Sequence, residues 1–252
     1  MRIIDLSAPI APTPPDAPPL MRIEIDYADH AAGTATAQAL FGVPSRLLRN
    51  GEGWALETIT ALGTHNSTHV DAPWHYNSVV GGEPAQTIDE LPLEWFFAPG
   101  VRLDFTHKAD GDAVTRNEVE GALCDAGHEL QPLDIVLVHT GRDAYYDRMD
   151  YPSLGCGVTA EATVWLWEQG VRVMGIDGWS WDRPLHLQAD DALARDKQGV
   201  FWAAHQCDIP YCQIERLHSL AALPATGFTV ACFPLRIVRA SAAPARVVAI
   251  LD

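Results

Sequence analysis

LGTHNSTHVDAPWHY, residues Leu62 to Tyr76, sets three histidines and an aspartate within eleven residues: His65, His69, Asp71 and His75. Imidazole and carboxylate are donors that Zn²⁺ and Mn²⁺ take, and few other structures gather so many titratable groups so closely. A lone histidine reads most simply as a hydrogen-bonded core or surface residue; four such groups at this spacing reverse that preference. An HxxxH spacing suggests one face of a helix, but Thr68 and Val70 are β-branched and Pro73 pushes Ala72 out of the α region. The chain from Thr68 onward is therefore expected to be extended, with His69 and Asp71 on one face, about 7 Å apart at Cα. A straight strand would hold His65 roughly 13 Å from His69. The chain must then turn at Asn66 and Ser67 to fold His65 back beside it. His75 lies beyond Pro73, so a separate role as general acid or base is favoured over ligation.

Around this stretch, 252 residues with 48% hydrophobic content suit one domain spanning 1–252 with a substantial core. A net charge of -16 with no basic run argues against nucleic acid or an anionic membrane as partner, which leaves a small-molecule substrate. Cys124, Cys156, Cys207, Cys212 and Cys232 form no CxxC pair and are odd in number, as expected of reduced thiols in the cytoplasm. MRIIDLSAPI at the start has no basic region followed by a long apolar core, so no signal peptide is expected, and no run approaches membrane-spanning length.

The alternation of elements points to an α/β fold. Strands are expected at Ile3–Ser7, Arg22–Tyr27, Gly53–Leu62, Val101–Phe105, Asp134–His139 and Val171–Asp177, and near the end at Phe228–Val238 and Arg246–Leu251. Helices are expected at Thr115–Gly127, where Thr115 and Glu118 form a capping box, and at Thr159–Gln169, capped by Thr159. Gln213–Leu223 also reads as helical. Thr87–Phe97 reads as a short helix or turn pair, and Ala28–Arg49 has no strong period and reads as a surface excursion, a lid or a dimer arm. Short connections near both termini imply antiparallel strands in a mixed sheet.

Other chemistries are weaker. GWSWD, residues Gly178 to Asp182, departs from a nucleophile elbow because Asp182 stands where the second glycine belongs. Cys156, between two glycines, reads as an inert thiol before a nucleophile. No phosphate-cradling glycine motif occurs. Trp74, Trp179 and Trp181 flank the polar motifs and could form an aromatic substrate wall. His205 and Glu215, ten residues apart across Ile209 and Pro210, can meet only through tertiary folding, and each alone reads as a helix-surface or capping residue.

The run His65, Asn66, Ser67, Thr68, His69, Val70, Asp71, Ala72, Pro73, Trp74, His75 resembles the signature H-x-G-T-H-x-D-x-P-x-H of the cyclase family of metal-dependent hydrolases, which includes bacterial kynurenine formamidase and isatin hydrolase. Ser67 stands where the family has glycine. DLSAPI at Asp5–Ile10, TIDELPLEWFF, DIVLVHTG, GIDGWSWD, the IERL segment at Ile214–Leu217 and the closing PARVVAIL extend the resemblance over most of the chain. It implies an α/β fold of the swivelling β/β/α type, a mixed, barrel-like sheet with surrounding helices, in a homodimer. It also implies His65, His69 and Asp71 as metal ligands, His75 as catalytic acid or base, and His205 and Glu215 as ligands of a second ion. One or two Zn²⁺ or Mn²⁺ ions per chain are expected. The implied activity is hydrolysis of a small cyclic or aryl amide, with the 28–49 insert tilting toward isatin-like substrates. The alternatives are lactone hydrolysis and a catalytically silent metal-binding protein.

Overall fold

Apolar runs without polar alternation, such as IVLVH and VMGI, belong in a sheet covered on both faces. The computed structural model, which describes residues 1–251, places them there. In chain order the strands longer than two residues are β1 (Arg2–Asp5), β2 (Ile23–Ala28), β3 (Leu56–Leu62), β4 (His69–Asp71), β5 (Phe97–Asp104), β6 (Ile135–His139), β7 (Val173–Ile176), β8 (Cys212–Glu215), β9 (Phe228–Ala231), β10 (Ala242–Pro244) and β11 (Val248–Leu251). The main helices are α1 (His30–Phe41), α2 (Arg116–Asp125), α3 (Ala160–Glu168) and α4 (Leu185–Arg195). The chain divides into two compact units, one of Met1–Pro9 with Ser67 onward and one of Ile10–Asn66.

The larger unit holds a mixed α/β arrangement built on a sheet of nine strands among the described residues, in the order β1-β11-β9-β5-β6-β7-β8-β4-β10. β5, β6, β7 and β8 run parallel, and the flanking pairs are antiparallel. Alternate side chains of β6 feed two different cores. Ile135 and Leu137 join Val70, Val173 and Ile214 on one face, while Val136 and Val138 join Val119 and Leu166 of α2 and α3 on the other. Both helices begin as their sequences require. Thr115 caps α2 with the reciprocal Glu118 bond, and the Thr159 side chain accepts from Ala162 N.

In the larger unit three segments differ from expectation. Gln213–Leu223 is not a helix. Cys212–Glu215 is instead strand β8, paired with β7 on one side and β4 on the other. Its polar residues Gln213 and Glu215 are buried along with Cys212 and Ile214, so polarity there marks a functional face of a central strand and not a solvent-facing helix stripe. Phe228–Val238 leaves the sheet at Ala231. The stretch after Ala72 does not stay extended: Pro73–Tyr76 forms one helical turn, with proline in the first turn, where its missing N–H costs nothing.

In the smaller unit, β2 and β3 form an antiparallel pair and Ala28–Arg49 contains α1 in place of an irregular excursion. Asp29 caps this helix through Ala32 N, and Gly42 ends it at φ 68°. Only Gly33 and Ala37 are buried, so there is no apolar stripe for a periodicity reading to find. The helix packs so closely that a Cβ at Gly33 would lie 1.8 Å from the Trp54 carbonyl oxygen.

Candidate metal centre

Strand β4 carries His69 and Asp71 to one face and Val70 to the apolar core on the other, as two-residue periodicity demands. Antiparallel pairing sets Glu215 of β8 directly opposite His69. The result is a cluster buried at all three positions, in which donor atoms of His69, Asp71 and Glu215 lie within 4.8 Å of one another. His69 Nε2 is 3.2 Å from Asp71 Oδ1 and 3.6 Å from Glu215 Oε2. Its other nitrogen, Nδ1, donates to the Ser67 carbonyl at 2.7 Å, which fixes the tautomer and leaves Nε2 directed at the carboxylates.

His205 reaches the same carboxylate from the opposite side. Its Nε2 is 3.5 Å from Glu215 Oε1, and its Nδ1 donates to Asp182 Oδ2 at 2.6 Å. Asp182 also accepts from the backbone N–H groups of Ala204 and His205, at 3.1 and 3.0 Å, so the carboxylate is itself held in place. Burial works against a charged imidazole, but the bonds to Asp182 and Glu215 outweigh it and raise the His205 pKa to about 9. Burial likewise pushes the Glu215 carboxyl up and Asp71 adds to this, yet the balance is downward because His205 bonds to it and both histidines favour its charge. Trp181 N donates to Glu215 Oε1 at 2.9 Å and fixes the carboxylate orientation.

His75 stands on the helical turn that follows β4, with a ring nitrogen within 4.8 Å of an Asp71 carboxylate oxygen. Its ring meets Trp202 edge-on at 5.0 Å and lies 5.9 Å from the His205 ring, while Trp202 stacks on His205 at 4.5 Å. Of the residues singled out from the sequence, His69, Asp71, His75, His205 and Glu215 are thus gathered in the larger unit. His65 belongs to the smaller unit, in the turn that follows β3, where Asn66 N bonds to the Gly63 carbonyl.

The donor set suits a divalent cation. Two buried carboxylates side by side repel in a medium of low dielectric, and a shared cation between them removes that cost. Oxygen and imidazole nitrogen donors fit Zn²⁺ or Mn²⁺, and both histidines direct the ring nitrogen away from the cluster at a backbone carbonyl or a carboxylate, the arrangement that orients metal-binding imidazoles. Thiol chemistry does not fit: Cys156 is 3% exposed, and burial raises its pKa to about 12. Trp181 is not part of a substrate wall either. It is fully buried, with its indole N–H donating to Thr163 Oγ1, whereas Trp74 is 44% exposed.

The sequence from residue 4 to 183 matches the model of the Cyclase family, described as "Putative cyclase". The chain belongs to the cyclase family. A kynurenine formamidase from Salinibacter ruber is 30% identical over 190 residues, which cover 74% of this chain and 76% of that protein. One from Geobacillus thermodenitrificans is 26% identical over 185 residues, 73% of this chain and 75% of its own length. Among solved structures, isatin hydrolase A from Labrenzia aggregata bound to benzyl benzoate superposes with a TM-score of 0.74 at 23% identity, covering 99% of this chain and 93% of that one. At that identity the likeness concerns the fold, and this cyclase-family chain shares it over nearly its whole length.

Asp182 was not identifiable as a site residue from sequence. It stands out there only as the acid that spoils a nucleophile elbow, and its partner His205 lies 23 residues later. Trp202, which stacks on His205, likewise carries no sequence signal.

Proposed function

We propose that this cyclase-family chain is a metal-dependent amidohydrolase that opens a small cyclic or aryl amide of the isatin or N-formylkynurenine type, acting as a cytoplasmic homodimer. The observation that carries the reading is the convergence of His69, Asp71 and Glu215, with His205 braced by Asp182 and His75 alongside. The hydrolases among its relatives support the reaction class. Zn²⁺ or Mn²⁺, one or two ions per chain, would be held by His69, Asp71, His205 and Glu215. A bound divalent cation supplies Lewis acidity, polarising a carbonyl and making a water molecule acidic near neutral pH.

The protein's own groups do the rest. Asp71 and Glu215 gather negative charge where a cation is needed, and the Trp181 N–H keeps Glu215 from turning away. Asp182 holds His205 Nδ1–H, so Nε2 faces inward. His75 takes the proton of the attacking water at a ring nitrogen and returns it to the departing amide nitrogen, the ordinary work of a general base that becomes a general acid. The Trp202 edge limits where its ring can lie.

The test is turnover of isatin, N-formylkynurenine and simple lactones by metal-loaded wild type and by His75→Ala. The expected result is amide hydrolysis by the wild type, a loss of about 10²–10⁴-fold in the variant, and equal metal per chain in both. Turnover of no amide by the metal-loaded wild type contradicts the proposal, and hydrolysis of lactones alone would move the assignment to that class.

A further inference from the structure

Next to Glu215 in sequence stands a charge that the hydrolase reading leaves unused. Arg216 is 6% exposed, and among the described residues no carboxylate lies within 4.0 Å of its guanidinium nitrogens. Arg102, Arg142 and Arg183, by contrast, each meet an aspartate at 3.0 Å or less. The Arg216 Nε is buried without a hydrogen-bond partner. Its guanidinium carbon sits 3.5 Å from the centre of the Trp179 ring, and Tyr151 meets that ring edge-on at 5.9 Å. An aromatic face stabilises a guanidinium but does not neutralise it. Buried charges in proteins are ordinarily paired, and an unpaired one is unfavourable.

The backbone is shaped to put the side chain there. Arg216 has φ 58°, a left-handed conformation that is strained for a non-glycine residue. It is pinned by Thr68 Oγ1, which donates to the Arg216 carbonyl at 2.6 Å, and by Arg216 N, which donates to the Gly178 carbonyl at 3.1 Å. The kink ends the alternation of β8 immediately after Glu215. The side chain is therefore a largely buried, fork-shaped donor beside the candidate metal centre.

We propose that Arg216 is an anion anchor and that the molecule acted on carries a carboxylate, which the guanidinium holds while the amide is presented to His75. The second half of this statement rests on the hydrolase reading; the anion site itself does not. Arginine suits the role because its planar fork matches a carboxylate with two parallel hydrogen bonds.

The test uses benzoate and its neutral counterpart benzamide as probes, titrated calorimetrically into the full chain stripped of metal by a chelator. Stripping removes any cation that could itself bind benzoate. The expected result is that benzoate binds about tenfold to a hundredfold more tightly than benzamide. Arg216→Gln should abolish that preference, and Arg216→Lys should retain part of it. Equal affinities for the two probes in the wild type, or an undiminished preference in Arg216→Gln, would overturn the proposal. If Arg216→Gln does not fold, the wild-type pair and Arg216→Lys decide, with a preference in the lysine variant equal to wild type counting against the fork. A benzoate preference that depends on Arg216, in a protein whose metal-loaded form turns over no amide, sinks the hydrolase reading and leaves the anion site standing.

Discussion

Each imidazole of the cluster owes its orientation to one bond on its far side. Ser67 accepts from His69 and Asp182 accepts from His205. Removing such a partner from a metal-binding histidine costs about 10–100-fold in metal affinity or activity. Asp182→Asn is accordingly expected to lower both metal retention and kcat/KM by about that range, because the amide can present its NH₂ to His205 and favour the wrong tautomer. Metal content per chain and steady-state kinetics check this together. At this scale the proximity of His69, Asp71 and His75 was legible because they are close in sequence. Asp182 was not, because its partner lies 23 residues away and the bond between them exists only in the folded chain.

The strand β8 decides whether the cluster exists, since its register sets Glu215 opposite His69. Ile214, on the opposite face between these two requirements, is fully buried in the core with Val70. Ile214→Ala is expected to destabilise the protein by about 2–5 kcal/mol, measured by urea unfolding, and to lower metal retention because the strand loses the packing that fixes Glu215. Sequence reasoning missed β8 for a physical reason: Cys212–Glu215 alternates apolar and polar residues that are all buried, so polarity there does not report solvent. Conversely α2 was read correctly from its first turn alone, because a capping box is local. Thr115→Ala should cost about 1 kcal/mol. The Glu118 carboxyl, bonded to Lys108 and to Thr115, is held down at about pKa 2, below its ordinary 4.5. Its contribution is fully present above pH 4.5 and is lost as the pH falls toward 2, so Glu118→Gln is expected to flatten the acid limb of the stability profile within that window. Thermal melts of wild type and variant across it provide the check.

For the whole molecule, the mixed α/β class was legible because both capped helices and the buried strand runs fall where their local chemistry places them. What the sequence did not reveal was the strand order, in which β4 leaves its neighbours in the chain to sit between β8 and β10. That placement draws residues from 69 to 215 into one cluster, so the cation proposed there would bind the folded chain and not the unfolded one. A metal that binds the folded chain alone adds stability by mass action, so chelation should lower the melting temperature and resupply should restore it. The most direct measurement is amide hydrolysis by one preparation in three states: as purified, stripped by chelator, and stripped then resupplied with Zn²⁺ or Mn²⁺. Loss of turnover on stripping and its return with one of these metals is the predicted result, and full activity in the stripped, metal-free protein would contradict the account.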